Sequence, residues 1–485
     1  MTHQQEQRRV AFTDPVSVEQ VLCSTRGTGL FLVMMKLALG LTMWSDSILM
    51  TLVSYLGPCV AADWGLSSVQ QGSLTASVFA GNLAGAAILG IVSDHYGRLP
   101  TFKIATGLVF TFGLLTAVAP SFWWLMLFRF MVGVGAGAME VPFDLVTEMV
   151  PIKDKGRVLV EVELSWAIGS VSTAVLAWAV LESGYSWRWL ALFAAMPTFA
   201  VLCCFAFVPE SPRWYLVNSR PNEAKDTLKA IAKRNGIELG DVTLRLDENV
   251  ASKNTGIGEL WRRPELRKRT LVSCTVWATF DFLYYGILLF SAEVLGEPDT
   301  CSFDYSILVF AASSELVSNL VARMYIDAVD HRNSLTLNFV LSGLATLFLS
   351  FNYNIAWLLL LAFVARGGAY MVASFAWIIT PDLYPTEVRS TGHAVSNSMA
   401  IIASIAVSYW VTSGLSYSIV GAVIMAAALT GGVAGQFLPN IHHNEAAEGC
   451  VESSERTPLL SDGVKVGVDN GSSHAMSTSG LAETI

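Results

Sequence analysis

The sequence is poor in charge. Only 14% of its 485 residues are Asp, Glu, Lys or Arg, against roughly 25% in an average soluble domain. A soluble protein with so few charges could not cover its surface, which excludes the two or three soluble domains that length alone would allow. Basic residues are scarcer than acidic ones, 30 against 39, giving a net charge of −9, so a general nucleic-acid binder is excluded as well. The seven cysteines are an odd number without metal-ligand spacing, and they indicate no disulfide framework. Cys59 and Cys301 fall on the same side of the expected spans; they pair if the folded loops meet, and the simpler expectation is two free thiols. The first 30 residues are polar and lack the apolar core of a cleavable signal peptide, so the spans themselves must direct insertion. No nucleophile–base pair, metal set or phosphate loop stands out, so neither an enzyme nor a bound cofactor or metal is expected.

What the chain has in quantity is apolar runs, with 53% hydrophobic residues. A bilayer core of about 30 Å needs about 20 apolar residues per helix. Twelve segments qualify: 31–60, 69–92, 101–119, 122–147, 158–180, 189–208, 270–292, 305–326, 334–351, 356–380, 393–412 and 416–437. They show no period of two, which excludes a strand barrel. The expected fold is an all-α membrane protein with six-helix bundles at 31–208 and 270–437. Segment 1–30 precedes them, a polar linker 209–269 joins them, and a tail 438–485 follows. With both termini cytoplasmic, the outer loops hold one of the 30 bases, Arg188, and the linker alone holds thirteen; the opposite orientation breaks the inside-positive rule. Trp123, Trp124, Trp187, Trp189 and Trp357 then form an outer aromatic belt. Within the linker, 222–234 reads as an amphipathic helix with Leu228, Ile231 and Ala232 on one face and Gly236 as its stop. The tail carries seven acids and two bases among Ser and Gly and reads as disordered.

The two bundles repeat each other. Asp94 closes span 2 and Asp327 closes span 8, an offset of 233. Glu148-x-x-Pro151-x-x-x-Lys155 after span 4 matches Asp382-x-x-Pro385-x-x-x-Arg389 after span 10, offset 234. Asp46 in span 1 matches Asp281 in span 7, offset 235. Two parallel halves with a site between them near the midplane is a transporter architecture.

Gly90-x-x-x-Asp94-x-x-Gly97-Arg98 resembles the loop 2–3 signature of the major facilitator superfamily, and PESPRWYL (209–216) resembles the motif shared by its sugar porters and organic-ion transporters. WSDSILMTLVSYLGP (44–58), WGLSSVQQGSL (64–74), VPFDLVTEMVP (141–151) and TPDLYPTEVRSTG (380–392) are similar to the synaptic-vesicle-2-related proteins and the nicotinate and organic-cation transporters near them. The resemblance covers about 15–440. It implies a secondary transporter in which Asp94, Gly97 and Arg98 pin helix ends in one state and release them in another. Two departures stand against it. Asp330-His331-Arg332 replaces the Gly-Arg of the first copy, and span 11 has no basic residue where many relatives keep an arginine.

An ionisable group at the bilayer centre costs at least about 2.5–3.5 kcal/mol, so those inside spans are functional candidates. The acids are Asp46, Glu140, Asp144, Glu161, Glu163, Asp281 and Glu315, and the bases are Lys36, Arg129 and Arg366. Lys36 reads as a snorkelling end-of-helix residue. Asp46 leads as a proton or cation site, the bland reading being a pair with a base such as Arg129. Asp281 holds the equivalent place beside Tyr284 and Tyr285. Glu140, Asp144 and Glu148 share one face of span 4; Glu148 is expected to pair with Lys155 as a gate, and Asp144 to face the cavity. Glu161 and Glu163 point apart, and Glu163, three residues from Trp166, is the inward candidate. Arg129 and Arg366 suit a substrate carboxylate or, more simply, an ion pair with one of the acids. Trp44, Trp166, Trp277 and Trp377 offer rings to an organic ion, or plain packing. Gly81-x-x-x-Gly85, Gly133, Gly135 and Gly137 read as close helix packing.

In the tail, Glu455-x-x-x-Leu459-Leu460 resembles an acidic dileucine signal read by clathrin adaptors, which implies an endosomal, lysosomal or vacuolar membrane; without it the plasma membrane is the expected address. The sequence reading is thus a monomeric multi-pass transporter of a small organic ion, a cation or a nicotinate-like acid, with proton coupling or uniport. A sugar or polyol symporter is the nearest rival, although these spans are poor in Asn and Gln. A non-transporting vesicle receptor or scaffold is the second.

Overall fold

The computed structural model describes residues 8–439 except 11, 13–14, 26–28, 139–140, 151, 205–207, 246–256, 297–299, 326–329, 352–353 and 386–387. Residues 8–9, 143–144, 147, 152–157, 159–160, 325 and 381–382 are described by backbone alone. The expectations at Glu140, Asp327, Glu455, Leu459 and Leu460 lie outside the described residues. Those on Asp144, Lys155 and Asp382 lie outside the described side chains.

The helices are α1 (Val18–Ser24), α2 (Leu30–Thr51), α3 (Val53–Trp64), α4 (Ser68–Tyr96), α5 (Arg98–Ala117), α6 (Phe122–Ala136), α7 (Val141–Met149), α8 (Ile152–Leu181) and α9 (Trp187–Cys204). They continue with α10 (Pro212–Val217), α11 (Pro221–Arg234), α12 (Ile257–Arg262), α13 (Pro264–Val294), α14 (Tyr305–Tyr325), α15 (His331–Leu349), α16 (Ile355–Ile379), α17 (Arg389–Val411) and α18 (Tyr417–Gly435). Among the described residues each of the twelve apolar segments is mainly helical. Ten spans are long and apolar enough to cross a membrane, the first being α2 and α3 together, Leu30–Trp64. Several helices outrun their apolar segments: α8 begins at Ile152 and α13 at Pro264. These first turns are polar, so hydropathy does not reveal them.

Span 4 is not one helix. It divides into α6 and α7, with Pro142 in the first turn of α7, where its missing N–H is tolerated. Before the division, α6 lies backbone-to-backbone on α4. A Cβ at Gly81, Gly85, Gly133 or Gly137 would collide with main-chain atoms of the facing helix, the contact that small residues permit.

In the first half α2 packs on α8 and α9, α4 on α6, and α5 on α6 and α9. In the second, α13 packs on α17 and α18, α14 on α16, and α15 on α16 and α18. The halves meet along α4–α17, α8–α14 and α3–α13. Below, the side that carries α10–α12 is the linker face and its opposite the far face.

The N-terminal segment is no free arm. Strand β1 (Arg8–Val10) pairs in parallel with β2 (Ile237–Leu239), Arg213 bridges Glu19 at 2.7 Å, and Asn235 accepts from the Phe31 amide and donates to the Thr25 carbonyl. Helix α11 buries Ala224, Leu228, Ile231 and Ala232 beneath this layer. Two further expectations change. Trp187 is buried, not a belt residue; its indole donates to Asp63 at 3.1 Å and its ring packs on Trp64. Cys59 and Cys301 are not free thiols but a disulfide, with Cα atoms 4.4 Å apart. The chain after α13 folds back through a Gly296–Phe303 bridge. Phe303 packs on Tyr55 of α3, which carries Cys301 onto Cys59.

Candidate functional site between the two halves

A cavity of about 140 Å³ lies between the halves. The first half supplies Asp46 from α2, Phe79 and Asn82 from α4, and Glu163 and Trp166 from α8. The second supplies Trp277, Asp281, Tyr284 and Tyr285 from α13, Tyr370 and Trp377 from α16, and Asn397 from α17. Three carboxylates therefore line it, and among the described residues no Lys, Arg or His does. Asp46 is 8% exposed, and its Oδ1 has no hydrogen-bond partner. Asp281 accepts from Ser404 Oγ at 2.9 Å. Tyr370 donates to the backbone oxygen of Glu163 at 2.9 Å.

Neither buried arginine lines the cavity. Arg366 pairs with Glu315 at 2.7 Å and donates to Ser170 Oγ at 2.7 Å. Glu315 also accepts from Tyr284 at 3.1 Å, and Tyr284 in turn accepts from Trp166 Nε1 at 3.0 Å. The Arg366–Ser170 and Trp166–Tyr284 bonds cross from one half to the other, so a buried polar network stitches the seam beside the cavity. Among the described residues Arg129 makes no ion pair with an acid. Its guanidinium donates to the Leu49 carbonyl at 3.0 Å, while Nε and Nη1 have no partner. Of the four candidate tryptophans, Trp44 is absent from the cavity wall, and its indole donates to Ser172 at 3.1 Å. Trp277 donates to Thr380 at 2.7 Å and packs edge-on against Trp377 and His393.

On the linker face Glu161, not Glu163, holds the bases: Lys36 at 2.7 Å and Arg323, from the other half, at 3.0 Å. Glu148 meets Arg98 at 3.5 Å, which supplies a partner other than the expected Lys155. Arg98 also bridges Asp94 at 2.7 Å. Gly97 sits at φ +107°, and a Cβ there would collide with the Glu210 carboxylate. That carboxylate accepts from the amides of Arg98, Leu99 and Ser211, so the PESPR segment caps the start of α5. Burial pushes Glu210 above the usual carboxylate range, outweighing the pull of those amides and of Arg98. In the second half, among the described residues, Asp330 accepts from the Arg332 amide and caps α15, and Arg389 is exposed at the start of α17. Arg188, on the far face, donates to the Ala117 and Ala119 carbonyls and closes the end of α5.

The sequence alone does not single out Phe79, Asn82, Tyr370 and Asn397, which line the cavity. The two amides carried a usable signal, since each interrupts a largely apolar helix; Tyr370 and Phe79 carried none.

Residues 24–439 match the family model described as sugar (and other) transporter. The synaptic vesicle 2-related protein of Rattus norvegicus is 31% identical over 420 residues, covering 81% of this chain and 75% of that protein. The organic cation/carnitine transporter 7 of Arabidopsis thaliana is 28% identical over 424 residues, covering 78% and 85%. Among solved structures, the major facilitator superfamily proton:xylose symporter XylE bound to 6-bromo-6-deoxy-D-glucose superposes with a TM-score of 0.66 at 16% identity, over 85% of this chain and 97% of that one. A partially occluded inward-open form of XylE from E. coli gives 0.65 at 19% identity, over 85% and 98%. The chain belongs to the sugar (and other) transporter family of the major facilitator superfamily.

Proposed function

We propose that this family member carries a small organic cation across the membrane by alternating access, the two halves rocking about the central cavity. One observation carries the choice of cargo: three carboxylates and, among the described residues, no basic side chain on the wall. Buried carboxylates without counter-charge are costly, and the aromatic wall attracts cations through its ring faces. A nicotinate-like acid would meet three like charges there. Asp46, buried and unpartnered at Oδ1, takes the cation or a coupling proton. The test is uptake into proteoliposomes of organic cations, nicotinate-like acids and sugars, with and without a pH gradient. Cations are expected to be taken up, and Asp46→Asn is expected to lower that uptake by on the order of a hundredfold, the worth of one lost buried charge contact. Wild-type uptake and pH dependence in the variant would remove the role.

A non-transporting receptor or scaffold is favoured by the disulfide across the halves; absence of flux for every compound, before and after reduction, would establish that reading. We place both termini in the cytoplasm and the protein, as a monomer, in an endosomal, lysosomal or vacuolar membrane reached through adaptors that read Leu459 and Leu460. Replacing both with Ala should move it to the plasma membrane, and an unchanged distribution would discard the signal.

A further inference from the structure

We propose that the cargo is held at two charged ends, a short α,ω-diammonium whose ammonium groups pair with Asp46 of the first half and Asp281 of the second. The inference rests on the cation reading above and narrows it. The two aspartates stand at an offset of 235 in the duplicated chain and line one cavity, one from each half. They are 8% and 9% exposed, and neither has a basic partner among the described residues. Asp46 Oδ1 has no hydrogen bond, and Asp281 has one from a neutral hydroxyl, Ser404.

Two buried carboxylates on one cavity are neutralised by protons or by positive charges, and in the cargo-bound state by two of the latter. The nearest buried guanidinium groups are committed elsewhere, Arg366 to Glu315 and Ser170 and Arg129 to the Leu49 carbonyl. The charges must therefore enter with what fills the cavity. At about 140 Å³ the space is close to the ~150 Å³ that holds a benzene-sized guest, enough for a chain of about four or five methylenes between two ammonium groups. An apolar spacer suits the wall: Phe79 of one half and Tyr285 of the other pack edge to face at 4.6 Å across the same seam. A cargo bonded to both halves also binds best when they are closed on it, which gives it the differential affinity that a conformational switch requires. Glu163, the third carboxylate, is then left to carry a coupling proton.

The experiment compares 1,4-diaminobutane with n-pentylamine on the purified full chain by calorimetric titration. Both molecules have the same number of heavy atoms, and they differ by one charge. The diamine is expected to bind about tenfold more tightly or better, the worth of one added charged contact. Asp281→Asn should bring the ratio of the two affinities to about one, as should Asp46→Asn. If either variant fails to fold, the wild-type ratio decides alone, and Ser404→Ala, which removes only the hydroxyl held by Asp281, should change that ratio. A wild-type ratio near one overturns the two-point site while leaving a cation site in place. Binding of nicotinate with neither amine bound overturns both this inference and the cation reading.

Discussion

The far face and the linker face close the same seam by different means. On the far face a disulfide ties α3 of the first half to the loop before α14 of the second, and Gln71 donates to Glu293 at 2.6 Å nearby. On the linker face the halves are joined by an ion pair, Glu161–Arg323, whose side chains are 18% and 42% exposed. Half-exposed pairs of this kind contribute about 0–1 kcal/mol. A covalent bond holds Cα atoms within about 7 Å and does not open on thermal fluctuation. The molecule is thus biased toward separating at the linker face, and the partly occluded inward-open relative shares its fold.

Between the two faces runs the buried network, and breaking it should have the largest effect. Arg366→Met leaves Glu315 buried without a counter-charge and should cost about 3–5 kcal/mol, read as thermal unfolding in detergent. Adding Glu315→Gln should recover most of the loss; no recovery would show that the pair is not what stabilises the seam. Next comes the far face. Cys59→Ser with Cys301→Ser, or a reducing agent on the native chain, should raise far-side labelling of a cysteine placed at Met50 by about tenfold, a released bias of about 1.4 kcal/mol. Equal labelling with and without the disulfide would mean that it does not hold the seam. The smallest effect belongs to the linker face. Arg323→Gln should shift the balance toward linker-side opening by about fivefold or less, seen as faster labelling there with unfolding temperature nearly unchanged. A larger loss of stability would mean that the ion pair does more than its exposure allows.

Much of this was legible in the sequence, for reasons that differ by residue. The spans announce themselves because lipid demands long apolar runs. Asp46 and Asp281 stand out because a charge inside such a run is rare. Other features depend on which face of a helix meets which neighbour. Trp44 and Trp166 look alike in sequence, yet Trp166 turns to the cavity and Trp44 to Ser172. The Glu315–Arg366 pair spans 51 residues and exists because α14 packs on α16. The disulfide joins positions 242 apart through a fold-back that no local pattern marks. Strand β1 has three residues, too few to display an alternation.

The docking of β1 and α1 onto the linker also redraws where one moving body ends and the other begins. Leu216, Leu228, Ile231, Ile237, Leu239 and Val242 share a core with Phe31, Met35 and Leu145 of the first half. Leu260 and Leu266 share one with Trp277 and Phe339 of the second. The cap made by α10, α11 and β2 therefore rides as cargo of the first bundle, while α12 travels with the second. Fifteen positions of the chain separate Leu244, packed on the first core, from Leu260 in the second. A chain severed between them would still be held in one piece by the Cys59–Cys301 disulfide.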